Sequence, residues 1–139
     1  MSPTKPTYVL DSFALMVYLG DEPGKGRVEE VLSLAEKHGC RVVMCLINLG
    51  EVLYMTERRR GLTKAQQVLA LVDSLPLELL EATRDLVLDA AHIKAQHALS
   101  YADAFVVVAS LRERGVVLTG DPEFQEVESL VQVEWLGGE

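Results

Sequence analysis

Residues 99–124 read LSYADAFVVVASLRERGVVLTGDPEF, a run in which a helix signal is followed directly by a strand signal. Ser100 and Asp103 have the spacing of a helix capping box, which predicts a helix from Ser100 to about position 114. The apolar run at 105–108 favours a strand by propensity alone. The cap, the length of the segment and Gly115 as a C-terminal stop favour a helix instead.

The same alternation of helices and strands extends over the rest of the chain. Five short apolar runs predict strands, and these are 8–10, 41–46, 77–80, 116–118 and 131–135. Helical spacing of apolar residues predicts the segments between them, near 12–19, 28–38, 48–60, 63–74, 83–98, 100–114 and 122–127. Thr63 with Gln66 also matches a capping box. Strands that are almost entirely apolar and alternate with helices predict an α/β fold, with a parallel sheet covered on both faces.

Length and composition limit the class of protein. The chain has 139 residues, of which 49% are hydrophobic and 24% charged, so we expect a single globular domain over residues 1–139 with residues 1–6 flexible. Thirteen lysines and arginines against 21 acidic residues give a net charge of −8. This balance argues against a protein that coats nucleic acid by bulk charge, but it allows an enzyme that gathers carboxylates around metal ions.

The expected location follows from what the sequence lacks. No apolar run approaches the ~20 residues that span a bilayer, and residues 1–6 contain no apolar signal segment. Cys40 and Cys45 are five positions apart on a predicted strand, which places them on opposite faces and argues against a disulfide. We therefore expect a cytoplasmic protein that makes no membrane contact.

Four acidic residues stand where a parallel sheet would bring them together. Asp11 follows the first strand, Glu51 lies one turn into the helix after the second, and Asp121 follows the strand at 116–118. Asp103 can reach them from the start of its helix. Ligands of parallel sheets collect beyond the carboxyl ends of the strands. Oxygen-only ligands suit Mg²⁺ or Mn²⁺, which can position a water and the phosphate that it attacks, so the set predicts a phosphodiesterase.

Each acidic residue also has a purely structural interpretation. Asp11 can cap the helix that follows it, and Asn48 with Glu51 forms a near capping box. Asp103 occupies the third helical position of the Ser100 box. Asp121 precedes a proline, the pattern of an N-cap followed by proline at the first helical position. The joint placement of the four, more than any one of them, favours a functional site.

Four segments in this order resemble the PIN domain family, and more narrowly the VapC-type ribonuclease toxins of toxin–antitoxin pairs. The segments are YVLDSFALMVYL (8–19), INLGEVLY (47–54), LSYADAFVVVAS (99–110) and VVLTGDPEF (116–124). The resemblance covers about residues 8–135. It implies a three-layer α/β/α sandwich with a central, mainly parallel five-stranded sheet. It also implies an endoribonuclease that uses Mg²⁺ or Mn²⁺ to cut single-stranded RNA, and a homodimer held inactive by a cognate VapB-type antitoxin.

The resemblance also implies roles for individual residues. The family's catalytic and metal-binding acids would be Asp11, Glu51, Asp103 and Asp121, and its hydroxyl would be Thr119. Many relatives have a basic or acidic residue after the fourth acid, whereas here Pro122 and Glu123 follow. Glu123 is therefore a candidate substitute for Asp121, or an outer partner of the site.

The one cationic run of the chain is Arg58-Arg59-Arg60, directly before Gly61. Three cations in the last turn of a helix are explained by the helix dipole alone. The functional alternatives are a clamp for the RNA backbone and a docking point for an acidic or C-terminal segment of an antitoxin.

Rival functions from other classes lack residues that they need. A receiver-like signalling module needs a phospho-acceptor Asp at the end of the third strand and a later lysine, but that strand ends in Leu80-Glu81 and no lysine follows Lys94. A dehalogenase-type phosphatase needs an Asp two positions after Asp11, where Phe13 stands. A PIN-fold module that binds RNA or a partner without cleavage is the remaining alternative.

Overall fold

The structure of the chain is a computed structural model, which describes residues 5–137. Of the segment expected to be flexible, residues 1–4 lie outside the described residues. Pro6 is already attached to the fold, because its carbonyl oxygen accepts a hydrogen bond of 3.0 Å from the backbone N–H of Arg41.

Five strands, six α-helices and one 3₁₀ helix make up the described chain. The strands are β1 (Thr7–Leu10), β2 (Arg41–Cys45), β3 (Glu78–Leu80), β4 (Val116–Thr119) and β5 (Val133–Trp135). The α-helices are α1 (Ser12–Gly20), α2 (Lys25–Glu36), α3 (Leu46–Arg60), α4 (Leu62–Ser74), α5 (Arg84–Gln96) and α6 (Tyr101–Glu113). The 3₁₀ helix, Pro122–Val127, connects β4 to β5.

The strands form one sheet in the order β3-β2-β1-β4-β5, and every neighbouring pair is parallel. This confirms the predicted α/β fold with a parallel five-stranded sheet. Leu10 is in register with Leu118, and Cys45 with Leu80. The carboxyl ends of the strands therefore lie along one edge of the sheet, where a parallel α/β protein binds its ligands.

Helices cover both faces of the sheet, as predicted. Leu10 and Leu118 are fully buried on the face that α1, α2, α3 and α4 cover. Their neighbours Val9 and Val117 point the opposite way and are fully buried beneath α6 and the 3₁₀ helix. Successive side chains of a strand alternate between faces, so a strand in a three-layer sandwich must be apolar at nearly every position.

Helix α6 is the central helix of the second layer and confirms the helical prediction for residues 105–108, all of them buried. The reason for its C-terminal stop differs from the prediction. The left-handed residue is Arg114, at φ 54°, and not Gly115. Gly115 is required for space, since a Cβ there would lie 2.8 Å from Cγ2 of Val9 and 3.2 Å from the carbonyl oxygen of Thr7.

Two helix starts that were predicted from capping residues are wrong. Helix α3 begins at Leu46 and not at Asn48, because the chain passes from β2 into the helix with no loop and extended Cys45 is the N-cap. Helix α4 begins at Leu62 with Gly61 as its N-cap, and no side chain caps it. Thr63 is therefore already inside the helix, and its predicted capping box with Gln66 does not form.

The sequence contained no run long enough to span a bilayer, and the helices agree: in residues 5–137 none is both long and apolar enough to cross a membrane.

Phe124 attaches the 3₁₀ helix to the core and is fully buried. We expect Phe124→Ala to lower the free energy of unfolding by about 3–5 kcal/mol, because it removes a buried ring and leaves a cavity. Urea denaturation followed by circular dichroism measures this. Leu111→Ala is the control: its side chain is 50% exposed, so a change within about 0.5 kcal/mol is expected. A loss below about 1 kcal/mol for Phe124→Ala would contradict the assigned packing.

Candidate active site

Asp11 stands between the end of β1 and the start of α1, and both of its carboxylate oxygens accept hydrogen bonds. Oδ1 accepts one of 2.8 Å from the backbone N–H of Ala14, which makes Asp11 the N-cap of α1. Oδ2 accepts one from the hydroxyl of Thr119 at the end of β4. The capping interpretation of Asp11 is therefore correct, but capping uses only one of its two oxygens.

Thr119 links the central strand β1 to its neighbour β4 at the edge where both strands end. Its hydroxyl donates to Asp11 and also accepts a hydrogen bond of 2.9 Å from the backbone N–H of Asp121. The side chain is fully buried. Because a hydroxyl is both a donor and an acceptor, this one group fixes the carboxylate on β1 and the turn that leaves β4.

A chain of hydrogen bonds continues from Asp121 to the start of α6. Asp121 caps the 3₁₀ helix, as its N-cap interpretation predicts: its Oδ1 accepts a hydrogen bond of 2.9 Å from the backbone N–H of Glu123. Oε1 of Glu123 accepts a hydrogen bond of 2.8 Å from the backbone N–H of Ser100. The hydroxyl of Ser100 in turn accepts one of 3.1 Å from the backbone N–H of Asp103.

The Ser100 capping box is thus completed by a residue from a different segment. In a capping box the residue at the third helical position returns a hydrogen bond to the N-cap N–H. Here Glu123 takes that place, and Asp103 instead forms a side-chain hydrogen bond with Glu123. The carboxyl group of Asp103 is consequently not used for capping. The sequence predicted Ser100 as the N-cap correctly, but its pairing of Ser100 with the Asp103 side chain is wrong, and nothing in the sequence predicted the bond to the distant Glu123.

The structure brings three of the candidate acids into one cluster. Asp103, Asp121 and Glu123 each offer a carboxylate oxygen, and the three oxygens lie within 4.8 Å of one another. Asp11 is joined to this cluster through Thr119. Glu51 does not belong to the cluster among the described residues.

The electrostatics show that the carboxyl groups of Asp11 and Asp103 are poorly solvated and lie close to other carboxylates. Burial raises the pKa of Asp11 from 3.8 to about 7, against the opposing effect of its two hydrogen bonds, and the charge of Asp121 raises it further. Burial also raises the pKa of Asp103, to which the hydrogen bond with Glu123 and the charges of Asp11 and Asp121 add. The hydrogen bond with Asp103 lowers the pKa of Glu123.

Asn48 connects α3 to the start of α6. Its Nδ2 donates a hydrogen bond of 3.0 Å to the carbonyl oxygen of Ala102, the residue before Asp103, and its side chain is fully buried. The interpretation of Asn48 as a helix cap is therefore wrong, since it lies inside α3. Glu51 follows three positions later, on the same side of the helix, and is partly buried. Asn48 thus holds the side of α3 that carries Glu51 against the first turn of α6.

The other polar atom of Asn48 is unusual. Within residues 5–137, Oδ1 is buried and accepts no hydrogen bond. A buried acceptor without a donor costs ~1–3 kcal/mol, and in native proteins such atoms concentrate where a ligand or an ordered water supplies the donor.

The donor set fits a hard divalent cation. Oxygens that share one Mg²⁺ at about 2.1 Å lie at most about 4.2 Å apart, so the cluster of Asp103, Asp121 and Glu123 needs to contract only slightly. All candidate ligands are oxygens, which suits Mg²⁺ or Mn²⁺ over softer metals. The raised pKa values of Asp11 and Asp103 point the same way, because a cation would offset the charge that burial and neighbouring carboxylates disfavour.

The three arginines lie far from the acidic cluster. Arg58 stands ten residues after Asn48 on α3, which places it about 15 Å further along the helix axis. The guanidinium of Arg58 lies 5.0 Å from the centre of the Tyr54 ring. Among the described residues, none of the three forms an ion pair.

Arg59 and Arg60 instead line a cleft of about 490 Å³ between α1, α3 and α4. Lys25 and Lys64 add two further cations to its wall. Its apolar lining includes Met16, Leu19, Val68 and Leu71.

Comparison with known families identifies this arrangement. Residues 8–130 match the model of the PIN domain. The chain belongs to the PIN domain family. This confirms the resemblance that the four sequence segments indicated, and the match includes all the candidate site residues. No curated protein sequence matches the chain.

Solved structures share the PIN fold over almost the whole chain at low sequence identity. VapBC2 from Rickettsia felis, crystallised with a DNA fragment from its promoter, is 15% identical with a TM-score of 0.74, covering 94% of this chain and 98% of its own. DNA-bound VapBC from Salmonella typhimurium is 19% identical with a TM-score of 0.73, covering 93% and 97%. Mycobacterium tuberculosis VapC20, described as a toxin that cleaves the sarcin-ricin loop, is 21% identical with a TM-score of 0.69, covering 91% and 98%.

The stability of the metal-free protein should depend on pH through its buried acids. Folding raises the pKa of Asp11 from 3.8 to about 7. The contribution of this group to stability is complete below pH 3.8 and is lost as the pH rises through about 7, because the buried charged form is disfavoured. In chelator, we therefore expect the melting temperature to fall by at least about 3 °C between about pH 5 and pH 8.

Millimolar Mg²⁺ should reverse this fall at about pH 8 and have little effect at about pH 5, where protons compete with the metal. Differential scanning fluorimetry measures both effects. Asp11→Asn should flatten the pH profile, whereas Asp73→Asn, an exposed change on α4, should leave it unaltered. A wild-type profile in chelator that rises over this interval contradicts the assigned pKa directions.

Proposed function

We propose that this PIN domain is a metal-dependent endoribonuclease that cuts single-stranded regions of RNA, and that it is the toxin of a VapBC-type toxin–antitoxin pair. The observation that carries the proposal is the convergence of carboxylates from three separate segments on one edge of the sheet. Asp11, Asp103 and Asp121 are joined there by hydrogen bonds that leave oxygens available to a cation. The similarity to VapBC and VapC structures supports the toxin assignment.

In this proposal the acids divide into two groups. Asp103, Asp121 and Glu123 hold Mg²⁺ or Mn²⁺ directly, and Asp11 and Glu51 complete the site from β1 and α3. A bound divalent ion supplies a Lewis acid, which lowers the pKa of an attacking water and offsets charge that develops on the scissile phosphate.

The remaining residues keep the acids in place. Thr119 donates to Asp11 and so fixes the orientation of that carboxylate while favouring its charged form. Glu123 holds the first turn of α6 through the N–H of Ser100 and thereby positions Asp103. Asn48 performs the same function between α3 and α6. Such supporting hydrogen bonds contribute to metal affinity as well as to structure.

The cleft between α1, α3 and α4 is the surface that we propose for the antitoxin. Its apolar lining and its cations Arg59, Arg60 and Lys64 complement an amphipathic segment with acidic side chains. Its fourth cation, Lys25, is paired with Asp21, and Glu22 is the one acid among the described lining residues. The distance of Arg58–Arg60 from the cluster favours this partner over a clamp for RNA at the cleavage site. The structures from R. felis and S. typhimurium are VapBC complexes, which supports a VapB-type partner.

We also propose that the toxin is a cytoplasmic homodimer. Apolar side chains on the outer surface of α3, including Leu46, Ile47 and Tyr54, are 37–50% exposed and could be covered by a second copy.

Substitution of the acids tests the catalytic proposal. Asp11→Asn and Asp103→Asn keep the shape of the side chain but lose the charge, so both should fold and lose cleavage of labelled single-stranded RNA. We expect a fall of more than about 100-fold, since even outer partners of a metal site contribute 10- to 100-fold. The assay compares Mg²⁺, Mn²⁺ and chelator.

Asp73→Asn is the matched control and should cleave at the wild-type rate. Full activity in either Asp11→Asn or Asp103→Asn refutes the site. A wild-type protein that takes up metal but cuts no RNA refutes the nuclease proposal and favours a PIN-fold module that binds without cleavage.

Substitution of the arginines tests the partner surface. Arg58→Ala, Arg59→Ala and Arg60→Ala combined should weaken binding of the co-expressed antitoxin by at least about tenfold, because cations in a partly apolar cleft contribute to affinity. RNA cleavage should change less than about threefold. Isothermal titration calorimetry and the cleavage assay give the two values, with Lys37→Ala as an exposed control. If RNA cleavage falls while antitoxin affinity is unchanged, the RNA clamp is the correct interpretation.

A further inference from the structure

Phe13 is a partly exposed aromatic side chain at the rim of the acidic site. It lies in the first turn of α1, two positions after Asp11, and 37% of it is exposed. By contrast, Phe105 and Phe124 are buried in the core. This partly exposed aromatic ring lies beside carboxylates that are proposed to hold a metal ion at the scissile phosphodiester.

Gly120 makes room for this ring. A Cβ at position 120 would overlap Cε1 and Cζ of Phe13 and would lie 3.2 Å from its Cδ1. The ring therefore packs directly on the backbone between Thr119, which bonds to Asp11, and Asp121, which belongs to the acidic cluster. The absence of a side chain at Gly120 fixes Phe13 against the active-site loop while leaving part of the ring open to solvent.

A second exposed aromatic ring borders the site from the other layer. Tyr101 is the first residue of α6, two positions before Asp103, and is 45% exposed. It rests on Phe105, with ring centres 5.1 Å apart. The acidic residues that open α1 and α6 are thus each accompanied by a partly exposed aromatic ring.

We propose that Phe13 is a nucleobase-stacking residue that binds one unpaired base next to the scissile phosphate, and that Tyr101 offers a second stacking surface. This inference rests on the proposed nuclease function and adds the means by which the site selects its substrate. A base can lie on an aromatic ring only when it is released from its own stack, so the contact selects single-stranded or splayed RNA.

The charge of the protein gives stacking particular importance. The chain carries a net charge of −8, and the acidic cluster itself repels the phosphates of RNA. The cleft with four cations borders α1 at Met16–Gly20, whereas Phe13 lies in the first turn of that helix. Apolar stacking supplies affinity that does not depend on phosphate neutralisation, and it accepts any base because every base has an aromatic face.

Binding of short RNAs to Phe13 variants tests the inference. Fluorescence anisotropy would measure the Kd of labelled oligouridylate and oligoadenylate in an Asp11→Asn background, which leaves the RNA uncut. Phe13→Ala should raise Kd by about 5-fold to 140-fold, the range for loss of one base–aromatic stack. Phe13→Trp should retain the affinity. Leu88→Ala, which removes a side chain that is 53% exposed on α5, is the control and should leave Kd unchanged.

A set of oligonucleotides with one abasic position each shows whether the ring contacts a base. At one position, loss of the base should weaken binding to the protein with Phe13 and have no further effect in Phe13→Ala. If, at every abasic position, the loss of affinity is the same in the protein with Phe13 and in Phe13→Ala, the ring contacts no base and the stacking proposal is overturned. A Phe13→Ala Kd within twofold of the parent overturns it too. A lower mass of Phe13→Ala than of the parent protein by light scattering also overturns the proposal, because the ring would then lie in a contact between two copies of the chain.

The outcomes also separate this inference from the nuclease proposal. If wild-type protein cuts RNA but Phe13→Ala has the same kcat/KM, the nuclease proposal stands and the stacking inference fails. If the protein binds RNA through Phe13 but never cuts it in Mg²⁺ or Mn²⁺, stacking stands and catalysis fails. If single-stranded RNA does not bind at all, both fail.

Discussion

The hydrogen bond between the hydroxyl of Thr119 and the carboxylate of Asp11 is the contact on which the site depends. It joins the end of β1, the central strand of the sheet, to the end of its neighbour β4, and it is buried. The same hydroxyl accepts a hydrogen bond from the backbone N–H of Asp121, so one group fixes the carboxylate that follows β1 and the backbone of the acid that follows β4. A buried carboxylate needs such donors, because without them its charged form is strongly disfavoured.

The acids of the site are held by the elements that they help to build. Asp11 caps α1, Asp121 caps the 3₁₀ helix, and Glu123 completes the cap of α6. Capping and metal binding do not compete here, since a carboxylate has two oxygens and several lone pairs. The cost is electrostatic: burial and mutual repulsion raise the pKa of Asp11 and Asp103. A divalent cation would offset that cost, which explains why a stable fold can tolerate so many acids at one edge.

Prediction from the sequence succeeded where local signals were strong and failed where a partner was distant. The strands, the parallel sheet and the cap at Ser100 followed from apolar runs and the spacing of Ser100 and Asp103. Helix α3 was predicted to start at Asn48, because asparagine is a common cap, but the side chain of Asn48 bonds to Ala102, 54 positions away. Glu123 had no local signal for its bond to Ser100, and Phe13 had none for its packing on Gly120.

The sequence by itself determined the alternation of apolar strands with helices and the order of the acids along the chain, because periodicity and capping act over a few residues. From these, the parallel sheet and the shared edge of Asp11 and Asp121 follow. Only the tertiary structure decided which oxygens meet: that Glu123 joins Asp103 and Asp121, that Thr119 connects them to Asp11, and that Glu51 is not part of that cluster within residues 5–137. Side-chain positions at a sheet edge depend on strand register and on how helices pack, and contacts between distant segments set both.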